Sequence, residues 1–282
     1  MRPIAERTGA RPARITQDGA DQAAAVQDRS GPAGGGAARG DAICVLAVSD
    51  EVSEGLLADP RPARSAQLIV ACGDLPAEYL GALMNALDLP LVFVPGNHDR
   101  DQSGYRVSRS GLITRAGFPA RPPWPLGAVN ADGRVVDVAG LRIAGLGGCL
   151  RYREGPNQYT ERQQTRRSLA LRRRARWRSW RDHRRVDVLL THAPPRGVGD
   201  GDDPVHQGFR CYHGLTAALD PPLLLHGHVH PYGSAAPPLR LGGTVVRNVT
   251  GWHLLELGGA PEPGSADGSE PAELLPGNRR AG

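Results

Sequence analysis

Six side chains of metal-binding type, Asp50, Asp74, Asn97, His192, His228 and His230, stand just after short apolar runs. Carboxylates, an amide oxygen and imidazoles together suit first-row cations such as Mn²⁺, Fe, Ni²⁺ or Zn²⁺. One such residue at a turn is commonplace, but the same coincidence at one strand end after another is a signal. Ligands of open α/β sheets bind beyond the carboxyl ends of strands, where rigid strands hold converging loops. In His228-Val229-His230 the single spacer sends both imidazoles to one side of an extended segment. Cysteine takes no part: Cys44, Cys72, Cys149 and Cys211 lack any CxxC spacing. They predict buried thiols in a reducing compartment, with neither a disulfide framework nor a zinc knuckle.

The runs that must position these residues are 43–48, 68–72, 91–94, 186–190 and 223–225. They are too short for helices and rich in β-branched residues, and their continuous apolarity predicts strands covered on both faces. Residues 134–144 alternate around Ala139-Gly140 and predict a hairpin; 245–249 and 252–257 predict a second, closing hairpin. Helices are expected over 76–87 and over 160–183, as crossovers between strands. In the latter, Leu169, Trp177 and Trp180 share a face at helical spacing and are expected to anchor it in the core. Residues 1–41 and 258–282 hold too few large apolar side chains to offset the entropy of ordering. They predict a disordered N-terminal arm and C-terminal tail around a folded unit over 42–257.

The chain has 282 residues, a hydrophobic fraction of 40% and a formal net charge of +5. All 34 basic residues are arginine. So one-sided a usage, beside 37 glycines and 25 prolines, reads as compositional; a solvated basic surface is favoured over a nucleic-acid partner. No apolar run reaches membrane-spanning length and the N-terminus lacks the apolar core of a signal peptide, so a cytoplasmic location is expected. Oligomeric state is not legible.

The ordered series Asp50, Gly73-Asp74, Gly96-Asn97-His98-Asp99, Thr191-His192 and Gly227-His228-Val229-His230 resembles the calcineurin-like metallophosphoesterases across nearly the whole folded unit. The resemblance implies a four-layer αββα sandwich, two mixed β-sheets flanked by helices. It implies two divalent metal ions: Asp74 bridging them, Asn97, His192 and His228 completing the second site, Asp50 and His230 holding the first. It further implies hydrolysis of a phosphomonoester or phosphodiester by a metal-bridging hydroxide, with His98 donating a proton to the leaving oxygen or holding the phosphoryl group.

Two departures bear on that expectation. The first motif normally reads Asp-x-His, but Val52 stands at the histidine's position, which implies a weaker first site. Glu51 reaches the site only if the chain turns immediately after Asp50; otherwise it is solvated or caps a helix. Ala77 stands where the family often has an aspartate supporting the catalytic histidine, so His98 is expected to lack a carboxylate partner. The loop 193–209 is a candidate pocket wall: either His206 and Asp203 face substrate or metal or, the favoured reading, the loop is held by its own turn hydrogen bonds. Arg151 or Arg153 is a candidate phosphate ligand. Two other functions remain open: a catalytically weakened member that binds a phosphorylated ligand, and a nuclease steered by the arginine-rich helix.

Overall fold

A computed structural model describes residues 42–108, 110–231 and 236–257. The expected arm over 1–41 and tail over 258–282 lie outside the described residues. The first half of the chain lays down β1 (Ile43–Ser49), a short α1 (Glu54–Ala58), β2 (Leu68–Ala71), α2 (Ala77–Leu87) and β3 (Leu91–Phe93). A small antiparallel sheet of β4 (Tyr105–Val107), β5 (Ile113–Arg115) and β6 (Phe118–Pro119) follows. Next come β7 (Val129–Asn130), β8 (Val135–Val138), β9 (Leu141–Leu146), and the paired β10 (Cys149–Leu150) and β11 (Gln158–Tyr159). The second half holds α3 (Glu161–Asp182), β12 (Val188–Thr191), α4 (Cys211–Leu219), β13 (Leu223–His226), β14 (Leu239–Leu241), β15 (Thr244–Asn248) and β16 (Gly251–Leu257).

Two mixed sheets carry the fold, in the orders β16-β1-β2-β3-β7 and β14-β15-β13-β12-β9-β8. Within them β1, β2 and β3 run parallel, as do β9, β12, β13 and β15. Between the sheets lies a core of β-branched and leucine side chains drawn from both, including Val45, Val70, Val92, Ile143, Leu190 and Leu225. A second cluster joins the outer face of one sheet to α3 and α4, through Leu171, Ala175, Leu189 and Leu215. A third joins the outer face of the other to α1 and α2, through Leu56, Ile69, Leu80 and Leu83. Two sheets buried on both faces account for the uninterrupted apolar runs, and the layers are the expected αββα sandwich.

The 134–144 hairpin forms as predicted, with Ala139 and Gly140 both at positive φ, 48° and 81°. The closing hairpin does not. β15 pairs with β13 and β14, whereas β16 crosses to the other sheet and pairs antiparallel with β1 over seven residues. Adjacent strands in sequence look like a hairpin whenever a short turn separates them; here that turn spans the gap between sheets. Helix α4 was not foreseen, because its CYHGLTAAL sequence carries weak periodicity.

Helix α3 begins at a capping box, Thr160 with Gln163, and its buried side chains are Gln164, Ser168, Leu171 and Ala175. Leu169, Trp177 and Trp180 are therefore not core anchors; they are 51%, 56% and 76% exposed. The helix packs through Leu171 and otherwise through small and polar side chains. Gln164 donates from Nε2 to Tyr212 Oη at 2.6 Å and to the Gly147 carbonyl at 3.3 Å, while Arg167 pairs with Asp132. A face chosen by hydrogen bonding and small volume leaves the large rings outside.

Candidate metal centre

Parallel strands of both sheets finish at one rim. Asp50 follows β1, Asp74 follows β2, and Asn97 and His98 follow β3, while His192 follows β12, and His228 and His230 follow β13. His192 Nε2 lies 3.0 Å from Asn97 Oδ1 and 3.3 Å from Asp74 Oδ2. Asp74, His192 and His228 each offer a ligand atom, all within 4.8 Å of one another. His192 Nδ1 lies 2.7 Å from the Cys72 carbonyl, which orients the ring so that Nε2 faces the carboxylate. His228 Nε2 faces the Val205 carbonyl at 2.8 Å, which leaves Nδ1 with a lone pair.

The backbone here is unusual. Asp50, Asp74 and His228 hold positive φ angles of 62°, 57° and 69°. Other non-glycine residues in that region include the helix C-caps Asp88, His183 and Asp220, where it is ordinary. Strain of this kind persists where surroundings over-determine it, and it clusters at functional sites. The surroundings are visible. The His228 amide donates to both carboxylate oxygens of Asp50 at 3.1 and 3.0 Å, and the His98 amide donates to Asp74 Oδ1 at 2.7 Å. A Cβ at Gly96 would lie 2.0 Å from Asp74 Oδ1, and one at Gly227 would lie 2.1 Å from Asp50 Oδ2. Only glycine permits these approaches.

Electrostatics fit a cation. Burial opposes a charge on His192, but the Asp74 carboxylate prevails and raises its pKa to about 9. Burial likewise pushes Asp74 upward, yet His192 holds it below the ordinary carboxylate range. His228, desolvated and beside His192, is pushed down to about 3 and is neutral. A buried carboxylate, an amide oxygen and two imidazoles, one of whose protons sits against that carboxylate, form a donor set in which a divalent ion would take that proton's place.

A sequence model of the calcineurin-like phosphoesterases matches residues 50–232, more than half of the chain. The chain belongs to the calcineurin-like phosphoesterase family. Solved structures of low identity resemble the chain to differing degrees. One crystal structure is 15% identical with a TM-score of 0.50, covering 77% of this chain and 95% of that one. TT1561 of Thermus thermophilus is 18% identical with a TM-score of 0.48, covering 75% and 90%. A Vps29 single mutant from Entamoeba histolytica is 15% identical with a TM-score of 0.34, covering 73% of each chain. No curated protein matches the sequence.

Around the centre of this calcineurin-like phosphoesterase, the remaining residues divide. His230 Nε2 lies 4.0 Å from Asp50 Oδ1, and its Nδ1 lies 3.3 Å from Glu51 Oε1. Glu51 reaches that ring because the chain turns at Asp50; it caps no helix, since Ser53 is the N-cap of α1. His98 has an exposed side chain that, with Asp74, lines a cleft of about 1390 Å³. No carboxylate among the described residues accepts from its ring. The ring of His206 lies 5.5 Å from that of His228, and its Nδ1 lies 2.8 Å from Asp203 Oδ2. Arg153 lies over the Tyr152 ring at 5.4 Å. Arg151 is turned away: it donates to the Gln158 carbonyl at 3.2 Å and to Gln163 Oε1 at 3.4 Å, beside a separate cleft of about 430 Å³.

Two participants escaped the sequence reading. Tyr152 Oη accepts from Asn97 Nδ2 at 3.3 Å, which turns Asn97 Oδ1 toward His192. Asp99 Oδ2 accepts the amides of Asp74 at 3.1 Å and Gly96 at 2.7 Å, clamping the two loops together. The motif Gly96-Asn97-His98-Asp99 displayed Asp99; nothing in the sequence marked Tyr152.

Proposed function

We propose that this chain hydrolyses a phosphomonoester or phosphodiester at a dinuclear centre. Asp74 would bridge the ions, Asn97, His192 and His228 would complete one site, and Asp50 with His230 would hold the other. The observation that carries the reading is the convergence of Asp74, His192 and His228 ligand atoms within 4.8 Å, from loops on two different sheets. When bound, the cations would supply charge neutralisation at the phosphoryl oxygens and an activated water. The chain's own residues do the rest. His192 holds Nε2 toward both Asp74 and Asn97 Oδ1, and the Cys72 carbonyl and the Tyr152 hydroxyl hold His192 and Asn97 respectively. His98, at the cleft wall beside Asp74, would donate a proton to the leaving oxygen. Four free cysteines support a reducing compartment such as the cytoplasm; among the described residues no helix is long and apolar enough to cross a membrane.

Val52, 46% exposed in place of the usual histidine, favours a second reading, a weakened member that grips a phosphorylated ligand without turning it over. One experiment separates them: hydrolysis of an aryl phosphate monoester and diester with added Mn²⁺. Turnover is expected, and Asp74→Ala or His228→Ala should lower it by about a hundredfold or more, beyond the loss typical of residues that merely orient a ligand. Unchanged rates in a folded variant would refute the hydrolytic reading, and binding of Mn²⁺ without turnover would establish the second.

A further inference from the structure

The outward face of α3 has no role in the metal centre. At about 100° per residue, Arg166, Leu169, Arg173, Arg176, Trp177 and Trp180 fall in one sector of the helix, opposite the buried Gln164, Ser168, Leu171 and Ala175. Arg167, Arg174 and Arg178, nearer the sheet, have partners in Asp132, the Gly133 carbonyl and Asp137. Arg166, Arg173 and Arg176 are exposed and make no ion pair with described residues. Beside this stripe, between α3 and the sheet's edge strand β8, lies a cleft of about 450 Å³. Its floor is Val135 and Val136, its rim includes Arg134 and Arg173, and Trp177 forms a wall. Arg181 lies over the Trp177 ring at 4.7 Å and steadies it.

The geometry points to single-stranded nucleic acid as the occupant of this face. Unpaired guanidinium groups of Arg166, Arg173 and Arg176 lead into the exposed indoles of Trp177 and Trp180 over about 21 Å of helix, setting phosphate contacts beside a platform on which bases can stack. An apolar-floored slot walled by a tryptophan suits an unstacked ring, which a duplex does not offer. An anionic membrane fits less well: Arg173 and Arg176 interrupt the apolar residues on the same face, so there is no continuous apolar stripe to sink into lipid. A second copy would set like charge against like charge. The inference does not rest on the hydrolytic reading.

The test uses the full chain and a labelled oligodeoxythymidylate of about a dozen nucleotides, with EDTA present so that binding is read without cleavage. Wild type is expected to bind with an affinity that falls steeply as salt rises. Trp177→Ala/Trp180→Ala keeps every charge and removes only exposed side chains; it should weaken binding about tenfold or more, with the salt slope unchanged. Arg173→Gln/Arg176→Gln should reduce that slope by about 1.4, about 0.7 for each lost phosphate contact on a single strand. Equal binding by the tryptophan variant would overturn the inference, because charge alone would then account for the affinity. Polyglutamate or phosphatidylserine vesicles displacing the oligonucleotide at equal charge, or a preference for duplex, would overturn it too.

Discussion

His230 shows its two ring nitrogens to two different carboxylates, Asp50 on one side and Glu51 on the other. A carboxylate that accepts from one imidazole nitrogen fixes the tautomer and aims the other nitrogen at a metal. On the proposed dinuclear reading, Glu51 would supply orientation at the site where Val52 stands in the place of the family's histidine. Glu51→Ala should weaken Mn²⁺ binding at the Asp50–His230 position by about tenfold, the lower end for such partners because both side chains are more than half exposed. Calorimetric titration with Mn²⁺ should show one of two binding steps weakened and the other intact; identical titrations would exclude the role. The kinds and order of the side chains that meet at the rim were legible in the sequence, since each follows an apolar run. The Glu51 contact and the Tyr152 hydroxyl on Asn97 were not, because they depend on where loops from different sheets meet.

At the scale of elements, one buried side chain ties several together. Arg142 of β9 is 1% exposed and sends its guanidinium to Asp137 of β8 and Asp182 at the end of α3, at distances from 2.5 to 3.1 Å. Its amide donates to Asp187, just before β12, at 2.6 Å. Hydrogen bonds from Arg142 hold Asp182 below the ordinary carboxylate range; at Asp137 burial pushes upward, but Arg142 and Arg178 prevail and lower it as well. A carboxylate whose folded pKa is depressed contributes stability above its unfolded value, about 3.9, and loses it as pH falls through the folded value. Arg142→Met should therefore lower Tm by about 5–10 °C at neutral pH. Calorimetry below about pH 4 should find the gap from wild type narrowing as both aspartates protonate; an equal gap at both pH values would show that lost packing, not pairing, is responsible. A sequence cannot flag such a residue, since an arginine within an alternating hairpin reads as solvent-facing. The same blindness placed Trp177 and Trp180 in the core: periodicity identifies a shared face, but which face packs is decided by the neighbours.

For the whole molecule, closure of the sandwich depends on its last strand. β16 leaves one sheet for the other and pairs with β1 from Ile43↔Leu257 to Ser49↔Gly251. Leu255 enters the core between the sheets, while Leu254 packs on the outer face with α2. Without β16, β1 becomes an edge strand with unpaired backbone groups, and Asp50 loses the frame that holds its strained turn. We propose 42–257 as the folding unit, and truncation tests both of its claims. A chain stopped after Leu257 should melt within about 2 °C of the full chain, the shift expected when no more than about 1 kcal/mol is lost. A chain stopped after Thr250 removes seven paired residues and core leucines, and should lose cooperative melting together with Mn²⁺ binding. Circular dichroism melts and metal titration read the two effects separately. Cooperative melting of the shorter chain at the full-chain temperature would mean that the first sheet closes on β1 alone, and that the metal rim is held by the parallel strands without help from the C-terminal return.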